Sequence, residues 1–329
     1  GGGVATASVL GGSGNDSLVF TATVSNSRIE LGTGQDSVRV TGAVSTTTIL
    51  GSTDKASVID LGSSLTSASS IVGAGGNDTI LVGGVSTEAT ITAGAGNDSL
   101  SISKVSASAS SANAVFDGGT GNDTLVFTQS GIAGVDASVM GGAGADSINI
   151  AGTLSGVDTV GGTVMGGAGA DSITFSGTIN ADSALATYIG ITNLSDSTET
   201  EMDVVTFTMS GASDSGANIN FEAMGLGLTL QAGTDLAIAG ASATDGIVVF
   251  SGSAASSLSE RLSKVDTLLA TEGQFAVFED VDGSAGYLFI QGGSTDTVVK
   301  MNESTGGLSG FSAAAVVSNS SIRVDFLGG

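Results

Sequence analysis

The sequence predicts an all-β protein, with a solenoid of about eight coils in its first half and a β-rich C-terminal capping region that contains one short helix. A Gly-rich segment that ends in Asp recurs every 20 to 25 residues, and the chain contains no Pro. The clearest copy is Gly11–Phe20. Aligned on the Asp, successive copies place these residues in one register: Asp16, Asp36, Ala56, Asp78, Asp98, Asp123, Asp146 and Asp171.

Apolar residues recur at fixed distances from the aligned position. Seven positions before it stand Val9, Ile29, Ile49, Ile71, Ile91, Phe116, Val139 and Val164. Two positions after it stand Leu18, Val38, Val58, Ile80, Leu100, Leu125, Ile148 and Ile173. Four positions after it stand Phe20, Val40, Asp60, Val82, Ile102, Phe127, Ile150 and Phe175, with Asp60 as the exception. Because strand side chains alternate between faces, each coil should contain two short strands that share one interior.

A hydroxyl follows the aligned position directly in every copy, which predicts an exposed hydroxyl ladder at the strand start. Its members are Ser17, Ser37, Ser57, Thr79, Ser99, Thr124, Ser147 and Ser172. The second turn of each coil, as in Thr21–Asn26, is variable in length and rich in Ser, Thr and Ala. Insertions are tolerated mainly on surfaces, so this edge is expected to be free for assembly.

The repeated turn offers the ligands that Ca2+ prefers. Calcium takes six to eight oxygens at about 2.3–2.6 Å, and a glycine turn can aim carbonyl oxygens at an ion while each Asp adds charge. Gly and Asp also form turns without any metal, but seven copies at a nearly constant interval favour metal binding. The predicted metal-binding residues are Gly12, Gly14, Asp16, Gly32, Gly34, Asp36, Gly76, Asp78, Gly94, Gly96, Asp98, Gly119, Gly121, Asp123, Gly142, Gly144, Asp146, Gly167, Gly169 and Asp171.

These turns resemble the calcium-binding nonapeptide repeats of RTX proteins, Gly-Gly-x-Gly-x-Asp-x-apolar-x, over residues 11–175. The resemblance implies a right-handed parallel β-roll with Ca2+ between successive turns, and type I secretion to the cell exterior. Typical members carry the motif at both edges, whereas this chain carries it at one, so several calcium ions are expected along a single edge. The third copy, Gly51–Ala56, lacks the Asp and should interrupt that file. Lys55 is hypothesised to replace part of the missing cation charge.

Beyond the repeats, three domains are predicted: the calcium-binding β-roll at 1–180, degenerate coils and a transition region at 181–252, and a helix with a β cap or assembly module at 253–329. Tyr188–Leu194 and Asp203–Phe207 read as a last coil without glycines. The helix, Ser256–Ala270, places Leu258, Leu262, Val265 and Leu269 on one face, which should cap a sheet rather than bind a partner. Further predicted strands are Leu226–Leu230, Ile247–Phe250, Phe275–Phe278, Tyr287–Gln291, Thr297–Met301 and Ser321–Phe326.

Charge and composition restrict the function. The formal net charge is −24, which opposes binding to nucleic acid and to anionic membranes and favours cations as partners. No apolar run reaches the roughly 18 residues of a membrane span. With no His and no Cys, the chain excludes the usual His-ligated zinc hydrolases. A carboxylate pair of the glycosidase kind stays open, because no local motif singles one out.

The favoured function is therefore structural: an extracellular surface-layer, sheath or fibre subunit that folds on Ca2+, is not an enzyme, and assembles with copies of itself. Tyr287–Ile290 and Asp296–Met301 loosely resemble modules that end secreted surface-layer proteins and large adhesins. One alternative is a calcium-dependent adhesin from a larger secreted chain, with cell-surface polysaccharide as its partner. A second alternative is a secreted carbohydrate-active enzyme, or the repeat domain of an enzyme or toxin.

Overall fold

The computed structural model describes residues 4–85, 88–105, 114–128, 137–151, 154–155, 163–180, 190–192, 197–198, 202–209, 218–222, 231–233, 236–251, 255–292, 296–303, 311–318 and 321–326. The chain divides into two compact units. The first unit comprises Gly1–Gly152 and Val160–Ala168, and the second comprises Thr153–Thr159 and Gly169–Gly329.

The described residues form 32 strands and one helix. The strands up to residue 150 are β1 Val4–Ala5, β2 Ser8–Ser13, β3 Ser17–Phe20, β4 Val24–Ser25, β5 Arg28–Thr33, β6 Asp36–Val40, β7 Val44–Ser45, β8 Thr48–Ser52, β9 Ser57–Thr66, β10 Ser69–Gly75, β11 Thr79–Val85, β12 Ala89–Ala95, β13 Ser99–Ile102, β14 Val115–Thr120, β15 Thr124–Phe127, β16 Ser138–Ala143 and β17 Ser147–Ile150. The remaining elements are β18 Leu154–Ser155, β19 Thr163–Ala168, β20 Ser172–Asn180, β21 Gly190–Thr192, β22 Asp203–Met209, β23 Asn218–Glu222, β24 Gln231–Ala232, β25 Leu236–Ile238, β26 Ala241–Thr244, β27 Ile247–Phe250, α1 Leu258–Leu268, β28 Gln274–Glu279, β29 Ala285–Ile290, β30 Thr297–Glu303, β31 Phe311–Ser318 and β32 Ser321–Phe326.

Two parallel sheets run through the first unit, as the sequence predicts for a solenoid. One sheet has the order β2-β5-β8-β10-β12-β14-β16-β19, and the other places β3, β6, β9, β11, β13, β15 and β17 side by side. Equivalent core residues stack coil on coil, for example Ile29 on Ile49 and Ile49 on Ile71. The all-β, parallel solenoid fold is therefore confirmed.

The core of this unit consists of the predicted apolar ladders. From the second coil onward the residues seven positions before the Asp are fully buried, while Val9, Leu18 and Phe20 in the first coil are only half-buried. A buried aliphatic side chain contributes about 1.5–3 kcal/mol, so each added coil covers the ladder of its neighbour. The apolar side chains of one coil are therefore buried by the stacking of the next coil.

The second turn of the early coils contains a short third strand that the sequence analysis missed. β1, β4 and β7 pair in parallel, and β7 continues onto Leu65 and Thr66 of β9. Their residues Val24, Val44 and Leu65 are buried. A single inward side chain gives no periodic signal, which is why this segment read as a variable loop.

The third coil is in a different register from the predicted one. Ser57, not Ala56, pairs with Asp36, and Ile59 pairs with Val38 and Ile80. Ile59 and Leu61 are buried, whereas Val58 is exposed. The interpretation of Val58 as a core residue, of Ser57 as part of the exposed hydroxyl ladder and of Asp60 as a break in the core was therefore wrong. This turn is one residue longer than its neighbours, so every later residue of the coil shifts to the other face.

In the second unit, the described strands confirm most of the predicted ones. Asp203–Phe207 lies within β22, which pairs in parallel with β20 and so forms a last coil. Of Tyr188–Leu194, only β21 lies among the described residues, and Leu226–Leu230 lies outside them. The other predicted segments coincide with β27, β28, β29, β30 and β32.

The predicted helix is α1, and its apolar stripe packs on the sheet as expected. Ser257 is the N-cap, and it forms a capping box with Glu260. Leu262, Val265 and Leu268 are buried in a cluster that includes Phe278 and Tyr287. Leu269, the C-cap residue, joins the same cluster. The helix therefore covers a hydrophobic face within the second unit.

The last coil is covered by strands from the C-terminal region. β30 pairs in parallel with β22, and β29 and β28 follow β30 in antiparallel order. On the other sheet, β32 pairs antiparallel with β23 and then with β31. The pairing thus changes from parallel to antiparallel at this end. Such a change is expected where a terminal unit differs from the repeats and closes the solenoid.

Candidate metal centre

The repeated turns bring their glycines into direct stacking contact. Gly119 has a φ of +105°, and a Cβ atom there would collide with the carbonyl oxygen of Gly94 in the preceding coil. Gly121, at a φ of +123°, would collide in the same way with the carbonyl oxygen of Gly96. These positions therefore require glycine both for the left-handed backbone and for the close approach of stacked carbonyl groups.

The aligned aspartates form a ladder through one of their two carboxylate oxygens. The backbone N–H of Asp78 donates to Oδ1 of Asp98 at 2.6 Å, and the N–H of Asp98 donates to Oδ1 of Asp123 at 2.7 Å. The same bond joins Asp16 to Asp36 at 2.8 Å and Asp123 to Asp146 at 2.7 Å. Each carboxylate is thus oriented by the coil before it.

In the second unit, the same bond joins Asp171 to the Asp of the last coil. The N–H of Asp171 donates to Oδ1 of Asp203 at 3.0 Å, so Asp203 occupies the aligned position of the last coil. The N–H of Asp203 donates to the hydroxyl of Ser197 at 2.8 Å. A neutral side chain therefore takes the place that the next Asp would have. The sequence pattern indicated the coil at Asp203 but not the role of Ser197.

The other oxygen, Oδ2, is buried and has no hydrogen-bond partner in five of these residues. They are Asp16, Asp36, Asp78, Asp98 and Asp123. A buried, ionised oxygen without a partner is strongly unfavourable, so such a group requires a cation or a proton. The repetition of one such oxygen from coil to coil is the feature that decides what the turns can bind.

Three of these oxygens, those of Asp16, Asp78 and Asp123, lie beside a glycine whose missing side chain leaves room. A Cβ atom on Gly73 would lie 2.5 Å from Oδ2 of Asp78, and it would also collide with the carbonyl oxygen of Ala93. A Cβ atom on Gly118 would lie 2.7 Å from Oδ2 of Asp123 and would collide with the carbonyl oxygen of Gly141. The space is thus lined by a carboxylate oxygen and a backbone carbonyl oxygen, the hard ligands that Ca2+ prefers.

Within the described ranges, no group of three or more acidic side chains forms a metal site. This agrees with the ladder, because a coil supplies at most one aligned Asp and the third coil has Ser57 in that position. Further ligands must come from backbone carbonyl groups and water, as calcium coordination allows. The residues present therefore fit calcium, whose charge would neutralise the buried carboxylates.

Burial raises the pKa of the aligned carboxyls in the middle of the stack. The pKa of Asp78 rises to about 7, chiefly by desolvation, and the neighbouring charge of Asp98 adds to it. Desolvation also raises the pKa of Asp98 and of Asp146 to about 6, and it raises that of Asp123. Without a cation, these groups are therefore driven toward protonation.

Asp117 is an acidic neighbour of the ladder that the sequence analysis did not single out. Desolvation raises the pKa of this half-buried carboxyl, and its charge in turn raises the pKa of Asp123 and of Asp146. It lies six positions before Asp123, where the neighbouring coils carry Thr92 and Met140. Asp117 therefore adds negative charge around the sixth and seventh coils of the repeat.

The third coil has a different set of polar groups. Ser57 holds the aligned position, and its N–H donates to Oδ1 of Asp78 at 2.5 Å. Asp54 accepts from the N–H of Gly34 and from the hydroxyl of Ser52, each at 3.0 Å, and these bonds lower its pKa. Lys55 is exposed beside it. The proposed charge replacement by Lys55 and the interruption of the calcium file here stay predictions.

Two further ladders escaped the sequence analysis. Side-chain Oδ1 atoms of Asn15, Asn77, Asn97 and Asn122 each accept a backbone N–H from the next coil, at 2.8–3.0 Å. The recurring Asn-Asp dipeptide was the available signal. At the opposite edge, Ser27, Thr47 and Ser69 form a buried ladder in which each hydroxyl accepts the N–H of the coil before. In these described coils, the backbone N–H groups at that edge are therefore satisfied by neutral hydroxyl groups.

Comparison with known families agrees with this geometry. The family model of the RTX calcium-binding nonapeptide repeat (4 copies) matches residues 109–126. The chain therefore contains RTX-type calcium-binding repeats. Its cofactor is Ca2+, and RTX repeats are typical of secreted proteins. The chain matches no curated protein and no solved structure.

The matched RTX segment contains Gly119 and Gly121 of a stacked turn and Asp123 of the ladder. The structure places the other predicted glycines and aspartates of the first unit in equivalent turns, and Gly169 and Asp171 in the second unit. Across the described ranges, no helix combines the length and apolar character needed to cross a membrane.

Proposed function

We propose that this RTX-type protein is a structural component of the cell exterior, a surface-layer, sheath or fibre subunit that folds on Ca2+ and assembles with copies of itself. The observation that carries the proposal is the column of buried Oδ2 atoms in Asp16, Asp36, Asp78, Asp98 and Asp123, which have no partner. Such a column makes the folded stack depend on a cation that is abundant outside cells. Type I secretion belongs to the same proposal.

A repeat stack of this kind favours a structural role because its residues are used for stacking. Its glycines are required by the contact between coils, and each ladder Asp binds the backbone of the coil before. We assign the protein no catalytic activity. The absence of His and Cys from the sequence supports this assignment, since these residues supply most nucleophiles and bases that work near neutral pH.

Electron microscopy of the purified 329-residue chain, with and without calcium, tests the proposal. Ordered sheets or filaments should form on calcium addition and disperse with a chelator. Magnesium at the same concentration is the control, because it prefers octahedral sites with several bound waters. A chain that folds in calcium but stays monodisperse would contradict self-assembly.

A calcium-dependent adhesin is the second candidate, and one cavity in the second unit favours it. The cavity has a volume of about 370 Å³ and is lined by Ile247, Val248, Val249, Phe250, Arg261, Glu279 and Phe311. That volume is within the range of small-ligand pockets. Binding of the chain to polysaccharide on a glycan array, lost on Val249→Glu and retained on the exposed Val281→Glu, would favour the adhesin over the structural subunit.

A further inference from the structure

We propose that the outer face of the first four coils is a self-association surface on which two copies of this chain meet about a two-fold axis. The proposal rests on the self-assembly of the proposed function, and it names one contact that such assembly would use. It concerns one row of outward-facing residues, here called the outer ladder: Val19, Arg39, Asp60 and Leu81.

The outer ladder follows from the register of β3, β6, β9 and β11. Val19 pairs with Arg39, Arg39 pairs with Asp60, and Asp60 pairs with Leu81. Adjacent strands lie about 4.8 Å apart, so the four residues span about 14 Å. The extra residue in the third coil is what places Asp60 outside, because it moves Ile59 and Leu61 into the core.

Exposed apolar side chains concentrate on this face. Val19 is 62% exposed and Leu81 is 39% exposed, and Val58 on the same sheet is 45% exposed. Only six large hydrophobic residues are this exposed among the described residues, and these are three of them. Surface clusters of this type mark contact sites more often than scattered single residues do.

The charges of the outer ladder complement themselves under a two-fold rotation. Arg39 and Asp60 form an ion pair of 3.4 Å, with side chains 62% and 30% exposed. A second copy turned by 180° about the midpoint between them places its Asp60 against Arg39 and its Leu81 against Val19. A copy in the same direction and register would place Arg39 against Arg39. The order apolar, positive, negative, apolar therefore selects the two-fold arrangement.

The same order explains how two strongly acidic chains could meet. The chain has 32 acidic and eight basic residues, so most faces would repel a second copy. The charges of the outer ladder sum to zero. When two copies pair, two Arg39 and two Asp60 side chains would alternate at the corners of a square. Four coils bury much less than the roughly 800 Å² per partner of a stable interface. The contact should therefore be a weak dimer that a second kind of contact extends into a lattice.

Charge reversal tests the geometry. Arg39→Glu gives two adjacent negative charges, and Asp60→Arg gives two adjacent positive charges. Each variant alone should dimerise at least about tenfold more weakly than the wild type, because like charges then face each other. An equimolar mixture of the two should regain the dimer, and so should the double variant with Arg39→Asp and Asp60→Arg. Sedimentation velocity in calcium, over a wide range of protein concentration, measures each case.

Arg28→Glu is the matched control. Arg28 is an exposed Arg that pairs with Glu30 on the outer face of the other sheet, so its reversal changes the net charge equally. It should leave the dimer intact, and circular dichroism should show that every variant folds in calcium. The proposal would be overturned if Arg39→Glu dimerised as strongly as the wild type. It would also be overturned if the equimolar mixture of Arg39→Glu and Asp60→Arg dimerised no more strongly than either variant alone. A wild type that is monomeric at every concentration would overturn it as well.

Electron microscopy of the same variants separates this inference from the proposed function. Ordered assemblies that persist unchanged in Arg39→Glu would overturn the two-fold contact and leave the structural role standing. Dimers that are sensitive to Arg39→Glu, without sheets or filaments in calcium, would support the contact and remove the structural role.

Discussion

The backbone N–H of Asp78 donates to Oδ1 of Asp98 at 2.6 Å, while Oδ2 of Asp98 is buried and has no hydrogen-bond partner. One carboxylate thus serves two purposes. Its first oxygen joins consecutive coils, and its second oxygen requires a cation or a proton. Stacking and calcium binding are therefore coupled through single side chains.

Calcium removal should unfold most of the repeat region. The buried Oδ2 atoms repel one another and lack partners once the metal is gone, so site formation and folding are coupled. The β-sheet signal in far-ultraviolet circular dichroism at neutral pH should fall on chelation and return on addition of calcium. A spectrum that does not change on chelation would contradict the coupling.

In calcium-free buffer, acid should stabilise the repeats. The folded-state pKa of Asp78 is raised to about 7 and that of Asp98 to about 6, above the roughly 3.9 of an unfolded Asp. A raised pKa means that the folded state binds the proton more tightly. This contribution to stability is therefore fully present below about pH 4 and is lost as the pH rises through 6 to 7. After calcium has been removed by dialysis, the Tm of the chain should fall as the pH rises from about 4 to 7.

Asp78→Asn should reduce this pH dependence, because the amide can still accept the N–H of Ser57 but does not titrate. A Tm that increases from pH 4 to pH 8 without calcium would show that the carboxyls are not the controlling groups.

Two substitutions at Asp98 should separate its two roles. Asp98→Ala removes the acceptor for the N–H of Asp78, and a lost buried hydrogen bond costs about 1–3 kcal/mol. Asp98→Asn keeps an acceptor but lowers the local negative charge. In acidic, calcium-free buffer the Asn variant should be close to wild type and the Ala variant less stable. In calcium at neutral pH, both should bind fewer ions by isothermal titration calorimetry.

Alanine at Gly119 should be far more harmful than alanine at Gly62. Gly119 has a positive φ, and its new Cβ would collide with Gly94, which together should cost about 2 kcal/mol or more. At Gly62 a Cβ would meet only the carbonyl oxygen of Val40, at 3.8 Å. Chemical unfolding in calcium measures both variants, and equal stabilities would argue against the stacked turn.

Substitutions in the third coil should test its register. Ile59→Ala should cost about 2–5 kcal/mol because Ile59 is fully buried. Val58→Ala should change stability by about 0.5 kcal/mol or less because Val58 is exposed. Urea unfolding in calcium gives both values. A larger loss of stability in Val58→Ala than in Ile59→Ala would instead support the alignment through Ala56.

The fold of the repeats was predictable from the sequence because each coil repeats one pattern of burial. Val38 and Ile80 could be assigned to the core by their distance from Asp36 and Asp78. The register of the third coil was predicted wrongly, and the reason is physical. The turn has no Asp at the aligned position to mark its extra residue, and Ser57 and Val58 fit the pattern when the alignment is shifted by one.

The metal-binding turns were predictable from Gly and Asp, whereas the partners of the carboxylates were not. The bond from Asp78 to Asp98 depends on stacking between residues 20 positions apart, which the spacing indicates only once the coils are known to be in register. Ser197 was not predictable, because it acts across 101 residues by donating to the carbonyl oxygen of Val298 at 2.5 Å.

Ser197 and β30 have a consequence for where such a protein can grow. A final coil ordinarily leaves a row of unpaired N–H and carbonyl groups, which can template another chain as an amyloid edge does. Here β30 pairs along β22, and the hydroxyl of Ser197 occupies the N–H of Asp203. That side of β22 is closed to an incoming strand, so joining of chains by strand addition is blocked there.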